Sequence, residues 1–164
     1  MAAGPRAGVR LEARSLGLVS EQCLYNLAER NAEQEVIPAA RAYGLAVLPW
    51  SPLHGGMLAG VLAAGSSEGK RRHAGRGAHS LLGHADQVRR FEHVCAQHGL
   101  APAEVSLAWL ISRPEVTAPV IGPRTVEQLE SALRAIRLRL PDSLTKELEE
   151  IFPGPGPAPE SFAW

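Results

Sequence analysis

A turn that carries an arginine runs directly into a capped helix at residues 120–129, and this arrangement could bind an anion. Thr125 is followed three residues later by Gln128, which is the spacing of a capping box and predicts the first turn of a helix. The free N–H groups and positive dipole end of that helix would face Gly122-Pro123-Arg124. A phosphate placed there would meet these donors and the planar guanidinium of Arg124. An ordinary strand-to-helix connection with a solvated arginine is the alternative, which this motif alone does not exclude.

A second segment, residues 44–60, joins a continuous apolar run to Trp50 and a glycine-rich loop. The apolar run predicts a buried parallel strand. Trp50 offers a flat apolar face to a planar ring, while the Ser51 hydroxyl and the backbone at Gly55 could approach a pyrophosphate closely. Core packing of the tryptophan and a flexible glycine turn are the alternatives. The glycines match neither GxGxxG nor a Walker loop, so the segment identifies no nucleotide site by itself.

Alternating strands and helices are predicted to position these two segments. Strands are predicted at residues 17–22, 45–50 and 116–121, and helices at residues 33–43, 85–98, 102–112, 125–138 and 143–152. This order predicts right-handed βαβ crossovers and a parallel sheet. Gly44 and Gly99 are expected to end helices. Pro38 is expected to interrupt the first helix, which would restart by one turn. Trp109 is expected to lie in the core.

Both segments belong to a longer pattern that resembles the C-terminal half of the aldo-keto reductases, from about Leu16 to the C-terminus. The pattern consists of Ser20-Glu21-Gln22 with Tyr25-Asn26-Leu27, Glu35-Val36-Ile37-Pro38-Ala39, Trp50-Ser51-Pro52-Leu53, and Gly122-x-Arg124 with Gln128-Leu129. These pieces occur in the order of the family. The branch that they resemble contains bacterial members and the potassium-channel beta subunits, whose corresponding strand likewise ends in Trp-Ser-Pro-Leu.

The resemblance implies an eight-stranded β/α barrel that binds NADPH across the C-terminal ends of its strands. Strands 6 to 8 with their helices would be present, so the predicted fold class is α/β, a partial TIM (β/α)8 barrel with a parallel sheet. Residues 15–152 would form this unit, with a mobile loop at 65–83. Residues 1–14 would be an unplaced leader and residues 153–164 a Pro/Gly-rich tail.

The resemblance also implies which residues contact the cofactor. They are Gln22, Trp50, Ser51, Pro52, Leu53, Gly55, Gly122, Arg124 and Gln128. Gln22 would bind the nicotinamide carboxamide, and Trp50 would stack on the nicotinamide ring. The loop after Trp50 would line the pyrophosphate. The turn at Arg124 would meet the adenosine ribose and its 2'-phosphate, with Gln128 close to the same end, as phosphate sites after strands 7 and 8 of such barrels do.

Other positions depart from the family pattern. The family's catalytic aspartate, tyrosine, lysine and histidine lie on the first half of the barrel and have no counterpart in this chain, so no catalytic residue is predicted. Because the tyrosine is the family's proton donor, this chain would keep the binding site for NADPH but would lack the general acid. Ser131 and Ala132 replace a Glu-Asn pair that holds the adenine, and Val61 replaces a common lysine, which weakens the expected adenine contact.

The predicted function is therefore a truncated NADP-dependent aldo-keto reductase. The family reaction is the NADPH-dependent reduction of aldehydes and ketones, which this chain alone is expected to lack. A non-catalytic nucleotide-binding or regulatory module that acts through a protein partner is the alternative.

Length leaves a packing problem for a partial barrel. The chain has 164 residues, whereas complete barrels need roughly 200 or more. Three parallel strands would leave two apolar sheet edges and half a barrel interior exposed to water. Self-association, a separately made N-terminal half and incomplete folding are the physical alternatives.

Composition excludes several other classes. With 45% hydrophobic residues, 21% charged residues and a formal net charge of zero, the chain is typical of one globular domain that does not bind nucleic acid. It has no apolar stretch of ~18 residues and no signal-peptide core, which predicts no membrane span and a cytoplasmic location. Cys23 and Cys95 suit a reducing compartment. The six histidines form no i, i+4 pair, so no metal site is predicted.

Overall fold

The structure is a computed structural model that describes residues 17–62 and 76–156. The predicted leader at 1–14, the residues between 62 and 76, and the tail beyond 156 lie outside these ranges. Short parallel strands and longer helices follow one another along the chain. They are β1 (Ser20–Glu21), α1 (Val36–Tyr43), β2 (Ala46–Val47), α2 (Arg76–Gln97), α3 (Pro102–Ile111), α4 (Val126–Arg137) and α5 (Asp142–Ile151).

The sheet is parallel, as predicted. β1 and β2 pair with Ser20 opposite Ala46, and a bridge between Leu24 and Trp50 continues the same register toward the C-terminal ends of both strands. Each regular strand contains two residues, fewer than predicted. The hydrogen bonds to β1 nevertheless continue past Pro49, because the Leu48 and Trp50 N–H groups donate to the Glu21 and Cys23 carbonyls at 2.8 and 2.9 Å.

The predicted strand at 116–121 is an extended segment rather than a regular strand. Val116 pairs in parallel with Val47 on the side of β2 away from β1, and the Thr117 N–H donates to the Val47 carbonyl at 2.9 Å. Pro119 has no N–H to donate, and the next bond comes from Val120, whose N–H donates to the Pro49 carbonyl at 2.7 Å. Three parallel segments therefore lie side by side, with β2 in the centre.

Proline and glycine set the bounds of α1. The helix predicted at 33–43 is divided into a 3-10 turn at Asn31–Glu33 and α1, which begins two residues before Pro38. In its first turn Pro38 sacrifices no hydrogen bond, whereas an earlier start would bring its ring against the carbonyl four residues back. Gly44 ends the helix in the left-handed conformation with φ 67°. The interruption and the stop are both confirmed.

Helix α2 corrects one prediction, because it begins at Arg76 and not near residue 85. Residues 76–83, which the glycine- and serine-rich composition assigned to a mobile loop, are helical. Val88 and Phe91 of α2 are fully buried, and Leu81 packs against the same core. A helix anchored in this way extends at little cost per residue, because nucleation is its expensive step. The remaining helices are α3, α4 and α5, and each begins and ends within one residue of its prediction.

The main core lies between the sheet and helices α1, α2, α3 and α5. Its largest fully buried side chains include Trp109, Tyr25, Phe91, Leu144 and Leu148. The predicted core position of Trp109 is therefore confirmed. A second, smaller core consists of Leu107, Ala132 and Ala135, with Leu53 packed against it. It joins the loop after β2 to α3 and α4.

Five residues form a partly buried group that we call the polar cluster: Arg30, Glu33, Trp109, Arg113 and Glu149. Arg30 Nε donates to Glu33 at 2.8 Å, and its Nη1 donates to Glu149 and to the Phe152 carbonyl. Arg113 donates to the same Glu149 at 2.7 Å. The two guanidinium carbons, of Arg113 and Arg30, lie 4.1 and 5.2 Å from the centre of the Trp109 ring. The polar cluster ties α3 and α5 to the loop after β1.

Apolar side chains are exposed at both edges of the sheet. At the β1 edge, Leu18 and Val19 are 56% and 76% exposed. At the opposite edge, in the extended segment 116–121, Val120 and Ile121 are 43% and 40% exposed. One face of α4 is exposed as well. Its apolar residues are Val126, Leu129, Leu133 and Ile136. The expectation of apolar surface left open to water is thus confirmed for the described residues.

We predict that replacing Glu149 with glutamine destabilises the fold. Burial acts to raise the pKa of Glu149, but the hydrogen bond and charge of Arg30, followed by Arg113, hold it below the ordinary value of 4.5. Loss of this charge should lower the free energy of unfolding by about 2 kcal/mol at neutral pH, the scale of a hydrogen bond to a charged group. Because a lowered carboxyl pKa stabilises the fold only above its ordinary value, the difference should shrink below about pH 4.5.

Urea unfolding at pH 7 and pH 4 measures both effects. Glu150→Gln is the matched control, since Glu150 is the next residue of α5 and is exposed. Equal losses in the two variants at pH 7 would contradict the prediction.

Candidate functional site

The accessible face of the sheet carries two of the predicted site residues. Side chains alternate between faces along a strand, and the common register of β1 and β2 places Gln22 beside Leu48. Gln22, Leu48 and Trp50 therefore share one face, which is accessible, whereas Cys23 and Val47 on the other face are buried. The Trp50 side chain is 43% exposed. The structure thus brings an amide and a flat indole together at the C-terminal ends of neighbouring parallel strands, and Trp50 is not a core residue.

Residues 51–56, which we call the 51–56 loop, leave this face in an unusual conformation. Ser51 and His54 have positive φ angles of 55° and 47°, and Gly55 follows with 66°. Positive φ in residues with a Cβ is uncommon and must be held by surrounding contacts. The Ser51 hydroxyl oxygen accepts from the Gly55 N–H at 3.1 Å, and the Ser51 carbonyl accepts from the His54 N–H at 2.9 Å. The loop is therefore folded around Ser51.

The remaining predicted residues of this loop face the protein. Pro52 is buried, and Leu53 packs against the second core, which contains Ala132 and Ala135 of α4. This packing fixes the 51–56 loop next to the helix that begins after the arginine turn. Pro52 and Leu53 thus support the loop, and Ser51 and Gly55 are more accessible members of it.

Asn26 is a functional candidate that the sequence analysis did not single out. It is fully buried, and its Oδ1 accepts from the Ala28 and Glu29 N–H groups at 3.0 and 2.9 Å. Its Nδ2 donates to the Ser51 carbonyl at 3.0 Å and lies 3.4 Å from His54 Nδ1. Asn26 thereby connects the loop after β1 to the 51–56 loop. Its place within the Tyr-Asn-Leu piece was the available signal.

His54 is a second residue that was missed. Its ring lies 6.4 Å from the ring of His84 on α2, centre to centre. Burial, followed by the charge of His84, lowers the pKa of His54 below its ordinary value of 6.5, while Glu29 acts in the opposite direction. The imidazole beside the loop is therefore neutral at physiological pH. A positive φ at a non-glycine residue could not be read from the sequence.

The arginine turn, residues 122–124, is exposed and leads into α4. Thr125 caps the helix by accepting from the Gln128 N–H at 3.3 Å, as predicted. The reciprocal bond differs from a capping box, because Gln128 Oε1 accepts from the Arg124 N–H at 2.8 Å and not from Thr125. A backbone hydrogen bond and a bond from Thr125 also lower the pKa of Glu127. This helix N-terminus thus already holds a carboxylate, and the Arg124 guanidinium is the group exposed beside it.

Neither tyrosine is placed to donate a proton at this site, and no metal cluster emerges among the described residues. Tyr25 donates to Glu33 at 2.7 Å, and burial, followed by this bond, raises its pKa well above the ordinary range. Tyr43 ends α1, which leads into the opposite end of β2 from Trp50. Residues 17–62 and 76–156 contain no group of three His, Cys, Asp or Glu side chains that could hold a metal ion. Within the same ranges no helix could cross a bilayer.

Comparison with known proteins decides the family. The sequence model of the Aldo/keto reductase family matches residues 6–152. The chain belongs to the aldo/keto reductase family. This confirms the resemblance, and the match also extends into the segment 1–14, which the sequence analysis left without a counterpart. Members of the family have an α/β fold of the TIM-barrel type and generally use a nicotinamide cofactor.

Several curated relatives of this aldo/keto reductase chain agree with the predicted branch. It is 46% identical over 152 residues to "Uncharacterized oxidoreductase YrpG" of Bacillus subtilis, covering 92% of this chain and 46% of that protein. It is 30% identical over 145 residues to "Putative voltage-gated potassium channel subunit beta" of Schizosaccharomyces pombe, covering 81% and 42%. It is 30% identical over 141 residues to "Versiconal hemiacetal acetate reductase" of Aspergillus parasiticus, covering 82% and 40%. The chain spans less than half the length of these relatives.

The positions that depart from the family pattern serve packing in this aldo/keto reductase chain. Ala132 lies in the second core, and Val61 is buried in the main core. The Ser131 hydroxyl donates to Glu104 of α3 at 3.0 Å. All three therefore contribute to the attachment of neighbouring elements.

We predict that Thr125→Ala weakens the N-terminus of α4. The Thr125 side chain satisfies the Gln128 N–H, and loss of an N-cap side chain lowers stability by about 1 kcal/mol. Thermal or urea unfolding measures the change. Thr145→Ala is the matched control, because the Thr145 hydroxyl binds the Pro141 carbonyl and caps no N–H. The prediction fails if the control loses as much stability as Thr125→Ala.

Proposed function

We propose that this chain is the cofactor-binding half of an NADP-dependent aldo-keto reductase, able to bind NADPH but inactive by itself. The family reaction would transfer hydride from NADPH to the carbonyl carbon of an aldehyde or ketone. The observation that carries the proposal is the juxtaposition of an accessible Trp50 with the 51–56 loop, at the C-terminal ends of parallel strands. Ligands of open parallel α/β sheets and of β/α barrels bind at this end.

The nicotinamide end would use the accessible face of the sheet. The indole of Trp50 presents an apolar surface on which a planar ring can stack. Gln22 on the same face offers both an amide N–H and an amide carbonyl, which match the two polar groups of the nicotinamide carboxamide. These two side chains would fix the ring without supplying any reacting group.

The pyrophosphate would lie against the 51–56 loop. The Ser51 hydroxyl oxygen already accepts from the Gly55 N–H, so its O–H remains to donate to a phosphate oxygen. Gly55 is exposed and has no side chain to keep a ligand away. The conformation held by Ser51 thus presents one hydroxyl and a bare segment of backbone.

The adenosine end would use the arginine turn. Arg124 is exposed beside the capped helix, and a guanidinium can bind a terminal phosphate through two parallel hydrogen bonds. Gln128 holds the backbone of the turn through its bond to the Arg124 N–H. A 2'-phosphate would therefore distinguish NADPH from NADH at this point. Because Glu127 already holds a negative charge at this helix end, the 2'-phosphate would depend on the Arg124 guanidinium.

We predict saturable binding of NADPH that depends on the two ends of the site. Titration of the purified chain, followed by quenching of tryptophan emission, measures it. Trp50→Ala should abolish most of the quenching and weaken binding measured by calorimetry. Arg124→Ala should weaken binding of NADPH at least about tenfold and leave binding of NADH nearly unchanged, because the charged hydrogen bonds to the 2'-phosphate are lost.

Arg137→Ala is the matched control for the charge, since Arg137 is an exposed arginine at the other end of α4. A folded chain that shows no saturable binding would refute the proposed cofactor site. Equal effects of the two arginine variants would refute the role of Arg124.

We also predict that the chain alone does not consume NADPH in the presence of an aldehyde. The described residues offer no suitable acid, because Tyr25 is locked to Glu33 and Tyr43 lies toward the other end of β2. Loss of NADPH absorbance with an aromatic aldehyde measures turnover. Turnover that scales with the concentration of purified chain would overturn the proposed inactivity while leaving the binding proposal intact.

A regulatory module that acts through a protein partner is the second candidate. The exposed apolar face of α4 favours it, with Leu129, Leu133 and Ile136 between 41% and 53% exposed, as does similarity to a relative named as a putative channel beta subunit. Size-exclusion chromatography with mass determination distinguishes the candidates. A defined oligomer supports self-association, and binding to a co-expressed N-terminal half of a relative supports a completed enzyme. A chain that stays monomeric and does not bind the N-terminal half argues against both self-association and a completed enzyme.

A further inference from the structure

We propose that Asn26 is the positioning residue of the 51–56 loop, and that it holds the loop fully only while His54 is unprotonated. The inference rests on the proposed cofactor site, because the loop is the segment that would line the pyrophosphate. It assigns a function to two residues for which neither composition nor motif spacing predicted one.

The first step concerns the conformation that must be held. Ser51 and His54 both have positive φ without being glycine, and such residues carry about 1–3 kcal/mol of strain each. Within the loop, the Ser51 carbonyl accepts from the His54 N–H, and the Ser51 hydroxyl oxygen accepts from the Gly55 N–H. Both bonds are internal, so they shape the turn but do not fix it to the rest of the protein.

The second step concerns the attachment of the loop. The Asn26 amide is buried, and its orientation follows from its partners, because Oδ1 accepts from two backbone N–H groups, of Ala28 and Glu29. Its Nδ2 must therefore face the loop, where it donates to the Ser51 carbonyl at 3.0 Å. A single side chain thus fixes a strained residue of one loop to the backbone of another.

The third step concerns the protonation of His54. Nδ2 of Asn26 is a donor, so His54 Nδ1 at 3.4 Å must act as the acceptor, which requires an imidazole without a proton on that atom. A proton on His54 Nδ1 would place two donors, this N–H and the N–H of Asn26 Nδ2, against each other. The charged or titratable groups that face the ring are Glu29, from the loop after β1, and His84, from α2. Burial and His84 both disfavour the imidazolium, in agreement with the geometry.

The sign of the pH effect follows from this preference. The unfolded chain would bind the proton at the ordinary imidazole pKa of 6.5, and the folded chain only at lower pH. Acidification below about 6.5 therefore favours release of the loop, whereas higher pH leaves the attachment intact. Cofactor affinity should fall in the same range.

The decisive variant is Asn26→Asp, which keeps the acceptor for the Ala28 and Glu29 N–H groups but replaces the donor with a carboxylate. At pH 8 the carboxylate would face the Ser51 carbonyl, and we expect affinity for oxidised NADP to fall about tenfold. At pH 6 a protonated His54 would pair with the carboxylate, so the variant should regain affinity as the wild type loses it. A role in stability alone would not reverse the pH dependence.

Three further measurements complete the experiment. Gln97→Glu is the matched control, because it makes the same change from amide to carboxylate at an exposed residue that ends α2, and it should retain the pH profile of the wild type. His54→Gln supplies a neutral acceptor that does not titrate, so only the 2'-phosphate of the cofactor changes charge in this range, and its affinity should fall about threefold less than that of the wild type. NMR titration of the imidazole signals without cofactor should show the pKa of His54 raised in Asn26→Asp and unchanged in Gln97→Glu.

The outcomes separate this inference from the proposed function. A wild-type chain that binds no NADP refutes the cofactor site, while the NMR titration still tests the contact between Asn26 and His54. Binding in the wild type with an unchanged His54 titration and affinity in Asn26→Asp overturns the inference. If Asn26→Asp does not fold, His54→Gln decides, and a pH dependence equal to that of the wild type overturns the role of His54.

Discussion

The guanidinium of Arg30 is the group on which the arrangement of the helices around the sheet depends. It lies in the loop after β1, yet it donates to Glu149 on α5 and to the Phe152 carbonyl just beyond that helix. A buried guanidinium must have its donors satisfied, so separation of α5 from this loop would leave Arg30 Nη1 without its two partners and only the bonds to Glu33 in place. The backbone beyond α5 packs closely against the same guanidinium. A Cβ at Gly154 would lie 3.0 Å from Arg30 Nη2 and 3.1 Å from Glu33 Oε2.

The polar cluster also determines where the candidate site can form. It fixes the loop after β1 on one side, and that loop contains Asn26, whose amide reaches the Ser51 carbonyl. On the other side, Leu53 packs against α4 through the second core. The 51–56 loop is therefore held between two attachments, one polar and one apolar. Its strained residues are kept in place by Asn26, Ala132 and Ala135, none of which has a part in the proposed contacts with the cofactor.

Local signals made part of this structure predictable from the sequence. The Thr125 cap, the stop at Gly44 and the position of Pro38 each depend on neighbours within four residues, and all three were confirmed. The bond from Arg30 to Glu149 spans 119 positions along the chain, so no local pattern indicates it. The start of α2 was missed for a related reason, because burial of Phe91 and Val88 outweighs the glycine-rich composition of its first turns.

The same distinction applies to the candidate site. Trp50 and Arg124 could be proposed from chemistry and resemblance, since an exposed indole and an arginine beside a helix cap have recognisable uses. Asn26 had a signal only in its place within the Tyr-Asn-Leu piece, and the sequence did not indicate its role, because a buried asparagine acquires a role from the groups that the fold places around it. The positive φ angles of Ser51 and His54 are likewise consequences of tertiary contacts.

Binding and catalysis depend on different parts of this fold. Every contact that shapes the 51–56 loop comes from residues between β1 and α4, and the loop lies on the face that already carries Gln22 and Trp50. The proposed cofactor site would therefore require no strand beyond the three parallel segments. A proton donor, in contrast, would have to approach the open face from outside them, across the apolar edges at Val19 and Ile121. A catalytic partner would therefore have to pack against the apolar edges that are exposed to water in this chain.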